Sequence, residues 1–349
     1  MKIVHCIYSF NTGGAETMLV DIANEQAKTQ DVTIIIVNDS FQQNLIDTVS
    51  EKVKIIFNHR KPNSRSIWPI IKLNWILWRL RPEVVHIHNA TLTRIILPFI
   101  SHGLFLTVHD LYIPLECIRH GTKLIAISEA VKKDILNRGK YDVVTIPNGI
   151  VINTINKRDT NFHLHNGKMR IVQVARLDSS KKGQDILINA IAKLKERGIT
   201  NVEVDFIGEG ESKQMLHELA CQKDVSKQIH FLGLRNREYI YANLKNYDLM
   251  CHPSRYEGFG LTVVEGMAAM LPVLVSNDGG PYEIIKYGKY GYAFQTGNAI
   301  DCADKLEDIY HNYSQTKEIA IHAYQYIVEN FSIKRMSADY IQAYKLHPK

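Results

Sequence analysis

The sequence predicts an α/β protein built from two doubly wound parallel sheets. Three observations predict it. Short β-branched runs alternate with longer helical stretches along most of the chain. The alternation is interrupted at about residues 153–168 by the polar, aperiodic stretch NTINKRDTNFHLHNGK. The length of 349 residues suits two domains, at a prior of about 150 residues each.

Taken in order, strand-like runs fall at Ile3–Tyr8, Val32–Val37, Val53–Phe57, Val84–Ile87, Phe105–Val108, Leu124–Ile127 and Val143–Ile146. After the interruption they resume at Ile171–Val174, Val202–Ile207, Ile229–Leu232, Asp248–His252 and Val273–Ser276. Helical patterns such as Ala15–Lys28 and Gln184–Arg197 lie between most of them. We therefore place one domain at residues 1–155 and the other at 165–330. The final segment, about 331–349, is expected to pack back on the first. Ligands in such sheets sit beyond the carboxyl ends of the strands, so the cleft between the domains is the expected active site.

With 45% hydrophobic and 22% charged residues, the composition excludes a disordered or low-complexity chain. No run of about 18 apolar residues proposes a membrane span. The five cysteines (Cys6, Cys117, Cys221, Cys251 and Cys302) are odd in number and form no CxxC pair. That speaks against a disulfide framework and a zinc site and for a reducing, cytosolic protein. The opening MKIVHCIYSF does not read as a signal peptide. The net charge of +6 is unevenly placed, because residues 1–168 hold 20 Lys/Arg against 14 Asp/Glu. Within them, residues 52–82 carry eight basic side chains, no acidic one and all three tryptophans. A neutral half joined to a basic, aromatic half suggests different partners for the two domains.

The first strand runs into Ser9–Glu16, where Gly13 and Gly14 open a helix. Glycines there let backbone N–H groups approach a ligand, and the helix N-terminus favours an anion. The turn is not GxGxxG, and no acidic residue ends the second strand at the ribose-binding offset, although Asp39 comes close. A nicotinamide dehydrogenase is thereby disfavoured. In the second half, Arg176 and Lys182 stand where a strand gives way to a helix. They suit a diphosphate, although taken alone they also fit two solvated surface cations. Arg255–Glu265 then reads RYEGFGLTVVE. Its turn glycines offer the amides of Phe259, Gly260 and Leu261 to a phosphate. Glu257 and Glu265 point to different parts of one elongated ligand, each suited to accept from paired hydroxyls.

These residues resemble the retaining glycosyltransferases of the GT-B fold, family 4, also called group 1, with two Rossmann-like domains. The matching features are Gly13–Glu16, Val85–His88, Thr107–Asp110, Ala126–Glu129, Ile146–Gly149, Arg176–Leu177, Lys182–Gly183, Ile207–Gly210, Phe231–Gly233, and Glu257–Leu261 followed by Glu265. The resemblance implies that Arg176 and Lys182 bind the donor diphosphate and that Glu257 holds hydroxyls of the transferred sugar. It further implies that the Phe259, Gly260 and Leu261 amides approach sugar and diphosphate, that Glu265 binds the ribose, and that Leu232 and Leu234 face the base. Gly208 and Gly14 complete the implied donor site, and His109 lies near the sugar as a catalytic residue with Glu257, Arg176 and Lys182. Gly13, His88 and Asn89 are assigned to the acceptor side. His86 and His88 are expected to point to opposite faces of their strand, with His86 in the core. Gly266 and Met270 depart from the family's Ala and Gly, touching local geometry rather than ligand groups.

The implied activity is retaining transfer from a nucleotide-diphosphate sugar, UDP-linked by default, to a saccharide or lipid-linked saccharide in surface polysaccharide or glycolipid synthesis. No cofactor or metal is expected, since no Asp-x-Asp pair or Asp/Glu/His cluster appears. A nucleotide-sugar epimerase on a similar frame is the alternative, and a non-catalytic sugar binder is a third reading. Finally, Ile67–Leu80 reads IWPIIKLNWILWRL, which places Trp68, Trp75 and Trp78 on one helix face beside Arg79 and Arg81. Anionic lipid surfaces attract such a patch, so a peripheral contact with the inner face of the membrane is expected. No nucleic-acid motif competes for it.

Overall fold

A computed structural model describes residues 1–11, 13–98, 100, 103–160 and 163–346. Thr12 of the first turn, Asn161 and Phe162 of the polar stretch, and residues 347–349 of the final segment lie outside the described residues. The chain forms two compact units, Met1–Ile150 with Ser332–Lys349, and Val151–Phe331.

The first unit begins with β1 (Lys2–Ile7), α1 (Gly14–Gln26), β2 (Asp31–Asn38), α2 (Gln43–Ile46), β3 (Val53–Arg60) and α3 (Trp68–Leu80). It continues with β4 (Val84–Ile87), α4 (Leu92–Ile95), β5 (Gly103–Val108), β6 (Lys123–Ala126), α5 (Glu129–Asn137) and β7 (Val143–Thr145). The second unit holds β8 (Met169–Val174), α6 (Ser179–Lys182), α7 (Gln184–Glu196), β9 (Val202–Ile207), α8 (Lys213–Gln222), β10 (Ile229–Gly233) and α9 (Arg237–Asn243). There follow β11 (Leu249–His252), α10 (Leu261–Ala268), β12 (Val273–Ser276), α11 (Gly279–Ile284), β13 (Tyr292–Phe294), α12 (Ala299–His311) and α13 (Thr316–Asn330). The last helix, α14 (Ile333–Leu346), belongs to the first unit and packs on α1.

Both sheets are parallel. The seven-stranded one runs β3-β2-β1-β4-β5-β6-β7 and the six-stranded one β10-β9-β8-β11-β12-β13. Parallel strands covered on both faces need continuous apolar runs rather than alternation. β2 meets this with Val32–Val37 buried throughout, and β12 is buried from end to end. Helix starts are set by short polar side chains. Ser128 accepts from Val131 N at 3.1 Å, and Asn298 accepts from Ile300 N and Asp301 N. Part of the polar stretch is anchored on the second unit. Arg158 N donates to Ala269 O, and its guanidinium reaches Asp248 at 3.0 Å and Tyr313 OH at 2.7 Å.

The two departures from the family pattern have local reasons. A Cβ on Gly266 would stand 2.6 Å from Met250 Sδ, so the missing methyl lets α10 lie close on β11. Met270 holds a left-handed backbone at φ 59°, yet its side chain is 7% exposed. A non-Gly residue there costs about 1–2 kcal/mol, whereas losing a buried Met side chain costs about 2–5 kcal/mol. Met270→Gly is therefore expected to destabilise the fold by about 1–3 kcal/mol, read by denaturant titration. A gain in stability would show that the backbone term dominates.

Candidate functional site

In each sheet the strand order reverses at one point, between β1 and β4 and between β8 and β11. Chain leaving neighbouring strands to opposite sides opens a crevice at their carboxyl ends. The sequence-singled residues gather at these two places.

In the second unit, β8 leads through Arg176 to Asp178, whose carboxylate caps α6 by accepting from Lys181 N. One turn of helix delivers Lys182, and Gln173 Nε2 holds its carbonyl at 2.8 Å. From the end of β11, Glu257 reaches the same spot, where Lys182 Nζ donates to its Oε2. His252 Nε2 lies 3.5 Å from that oxygen and 3.0 Å from Ser254 Oγ, while Nδ1 lies 3.3 Å from Thr262 Oγ1. Burial acts to raise the Glu257 carboxyl, but the His252 hydrogen bond and the Lys182 charge outweigh it and hold it at about 2. Glu257 is thus a fixed carboxylate rather than a proton donor.

Gly260, at φ 101°, opens α10 as its N-cap. The amides of Phe259, Gly260 and Leu261 have no acceptor among the described residues. They form a ready anion cradle at a helix N-terminus. The Phe259 ring itself is buried, 5.9 Å from Phe331, so only its backbone is offered. The guanidinium of Arg176 is exposed and has no partner among the described residues. Glu265, on the second turn of α10, accepts from Tyr241 OH at 2.8 Å, and that hydroxyl accepts from Arg237 Nε at 2.7 Å. Burial and then the Glu265 charge push the Tyr241 phenol far up, so it stays a donor. Gly208 N donates to Gly233 O, joining the β9 turn to β10, with Leu232 half-buried and Leu234 exposed beside it.

In the first unit, Gly13 caps α1 in extended geometry and Gly14 begins the helix. Asn89, past β4, accepts from Tyr8 N at 2.9 Å, tying the ends of β1 and β4 together. His88 Nδ1 lies 3.1 Å from His109 Nε2 at the end of β5. One expectation is corrected here. His86 and His88 share a face, with stacked rings whose centroids are 4.6 Å apart. Side chains two apart on a strand point the same way, so the separation itself forbids opposite faces. Both meet His5, which register places opposite His86.

Ring nitrogens of His5, His86 and His88 lie within 4.8 Å of one another, the one grouping of metal-ligand type among the described residues. The rings are stacked, and their nitrogens bond to one another, to Gln26, to Tyr344 and to Thr107. Lone pairs so used do not converge on a cation.

Comparison with known proteins decides the family. A model described as "Glycosyl transferases group 1" matches residues 156–326, and one described as "Glycosyltransferase Family 4" matches residues 12–154. The chain belongs to the glycosyl transferases group 1 family. An uncharacterized glycosyltransferase of Methanocaldococcus jannaschii is 29% identical to this group 1 chain over 64% of its length and 60% of the relative. The poly(ribitol-phosphate) alpha-N-acetylglucosaminyltransferase of Staphylococcus aureus is 26% identical over 60% of the chain and 41% of the relative. The chain thus spans roughly half the length of these curated relatives. The Anabaena protein HepE, solved with UDP and glucose, superposes with TM-score 0.81 at 19% identity over 99% of both chains. TarM of S. aureus, solved with UDP and saccharide ligands, gives 0.79 at 14% identity over 99% of this chain and 100% of TarM. The fold of the group 1 chain is GT-B.

Several residues of the group 1 chain escaped the sequence reading. His252, Tyr241 and Arg237 hold Glu257 and Glu265, and His5 with Gln26 stands behind His88. Only the strand-end position of His252 was visible in sequence. The tryptophan helix, in contrast, is one-sided as its spacing suggests. α3 buries Leu73, Asn74, Ile76 and Leu77, while Trp68, Trp75 and Trp78 are 73%, 52% and 58% exposed. Arg79 stacks over Trp75 at 4.9 Å, and Arg81 ends the helix. No helix among the described residues is long and apolar enough to cross a membrane.

Proposed function

We propose that this chain is a retaining glycosyltransferase that moves a sugar from a nucleotide-diphosphate sugar to a saccharide or lipid-linked saccharide acceptor. The observation that carries it is the juxtaposition in the second unit of Lys182, the ionised Glu257 and the unpartnered amides of Phe259, Gly260 and Leu261. Cation, carboxylate and anion cradle together match a diphosphate joined to a hydroxyl-bearing sugar. Arg176 and Lys182 bind the diphosphate, Glu257 and the Phe259–Leu261 amides the sugar end, and Glu265 the ribose. Leu232 and Leu234 face the base, and Gly208 lies in the same donor site. The first unit supplies the acceptor side through Gly13 and Asn89 and adds Gly14 to the donor site, with His109 at the sugar and His88, whose ring nitrogens face His5 and His109, behind it.

The anomeric C–O bond breaks with its electron pair leaving on the nucleoside diphosphate. The acceptor hydroxyl oxygen bonds to the anomeric carbon from the same face, and its proton passes to the departing phosphate oxygen. The charge that grows on the diphosphate is met by Arg176, Lys182 and the α10 N-terminus, with no metal required. Two structural relatives were solved with UDP, which supports a UDP-sugar donor in surface polysaccharide or glycolipid synthesis. Thermal-shift screening against UDP-, GDP- and ADP-sugars is expected to single out the UDP series. Transfer with the preferred donor is expected to survive EDTA. An epimer formed from donor alone, without acceptor, would sink the transfer reading in favour of epimerisation.

The exposed Trp68, Trp75 and Trp78 face, with Arg79 and Arg81 at its end, is proposed to seat the chain on the anionic inner face of a membrane. Each basic residue near such a surface is worth about 1 kcal/mol. Reversing both charges in Arg79→Glu/Arg81→Glu is therefore expected to weaken co-sedimentation with anionic liposomes by about tenfold or more. Equal binding by the two proteins would remove the patch from the account.

A further inference from the structure

We infer that His5 and His88 are positioning residues that act through a one-way chain of buried imidazole hydrogen bonds, presenting Nδ1 of His109 as a bare acceptor for a ligand hydroxyl. The inference deepens the assignment of His109 to the sugar side and rests on it.

The chain begins at its inner end, on Gln26. The Gln26 side-chain amide lies 2.9 Å from His5 Nε2; with its Oε1 on that side, an orientation that leaves Gln26 Nε2 buried without a partner among the described residues, that nitrogen carries the proton. A neutral imidazole has one donor and one acceptor, which leaves His5 Nδ1 to accept. His5 Nδ1 lies 3.1 Å from His88 Nε2, which must therefore donate. His88 Nδ1 then accepts from His109 Nε2, again at 3.1 Å. Three rings take three protons in one direction, and His109 Nδ1 is left without one. That nitrogen has no hydrogen-bond partner among the described residues.

The scheme needs all three rings neutral, and their surroundings make them so. Burial lowers His5 to about 4, with the Gln26 bond opposing in part, and burial lowers His109 to about 4. His88 is driven well down by burial first and by neighbouring His86 and His5 next. His86 stands outside the chain. It spends both nitrogens on Tyr344 OH at 2.5 Å and Thr107 Oγ1 at 2.7 Å and meets His88 and His5 by ring contact. The arrangement selects its ligand chemistry. A bare, uncharged Nδ1 takes a hydrogen bond from a hydroxyl and offers nothing to a phosphate oxygen, so His109 belongs to the sugar and not to the leaving group.

The direct measurement is long-range 1H–15N correlation of the histidine rings at pH 7. The expected spectrum shows His5, His88 and His109 neutral, each protonated on Nε2. A protonated Nδ1 on His109, or an imidazolium there, overturns the inference. Gln26→Leu removes the terminal acceptor, and His109 is expected to become a mixture of tautomers. Retention of a pure Nε2–H form overturns the chain as the cause. In transfer assays His5→Gln is expected to lower kcat by about ten- to a hundredfold, the cost of a misplaced site group, with KM for the donor little changed. An unchanged kcat overturns the positioning role. If His5→Gln fails to fold, the two spectra decide alone. Because they need no turnover, they also separate failure of this inference from failure of the transferase reading.

Discussion

Lys182→Ala is expected to lower sugar transfer roughly a hundred- to a thousandfold, the loss seen when one preorganised charge-stabilising donor is removed. Lys182 ends the single turn of α6, held there by the Asp178 cap and by Gln173 on its carbonyl. Before ligand arrives its ammonium neutralises Glu257. In the proposed reaction it faces the charge that grows on the leaving diphosphate, where a low-dielectric site makes one cation count. The loss should therefore fall on kcat as well as on kcat/KM. Some stability goes too, about 1–3 kcal/mol, because a largely buried carboxylate loses a partner and keeps only the His252 side. That is small enough for melting curves and turnover to be measured on the same preparation. Near-normal turnover by folded Lys182→Ala would overturn the donor-site assignment.

The same pair sets a pH dependence. The Glu257 carboxyl sits at about 2 in the fold, below its ordinary 4.5. A depressed carboxyl contributes stability above its unfolded value and loses it as pH falls through the folded one. The contribution is therefore complete above about pH 5 and fades towards pH 2. In Lys182→Ala the carboxyl rises towards its unfolded value, so the contribution shrinks and its fading should end at a less acidic pH.

Gly208→Ala carries the second large effect. At φ 147° a Cβ would stand 2.0 Å from the carbonyl oxygen of Ala175, a backbone atom that cannot rotate away. The turn after β9 thus lies directly against the turn after β8 that carries Arg176. Gly183 repeats the device at φ 66°, where a Cβ would stand 2.0 Å from Pro253 O and push α6 off the end of β11. Separating either pair of turns is expected to cost about 3 kcal/mol or more, among the larger single-site effects. At about 2–4 °C per kcal/mol for a domain of this size, Gly208→Ala should lower the melting temperature by about 6–12 °C. It should also weaken donor binding, because the backbone that carries Arg176 must move. A melting temperature within about 2 °C of the parent, with unchanged donor affinity, would show that the turns tolerate separation.

Much of the molecule is legible in the sequence. Strand runs such as Val32–Val37, the helix entry at Gly13–Gly14 and the Phe259–Leu261 cradle are local. They follow from side-chain period and from glycine placed where backbone must be exposed, and both are written within a dozen residues. The exposed tryptophan face belongs with them, since i, i+7, i+10 spacing on one helix already places its members together. What tertiary structure alone decided joins residues far apart in the chain. His5 meets His88 across 83 positions because β1 and β4 pair in one register, and Lys182 meets Glu257 across 75 because β8 and β11 are neighbours. The partnership of Tyr241 with Glu265 and the third leg of the cluster, His252, arise the same way. A periodic pattern states which face of an element is buried, but not which buried face it meets. That second choice is made by closing long loops, whose entropy is repaid only when register, packing and hydrogen bonds all agree.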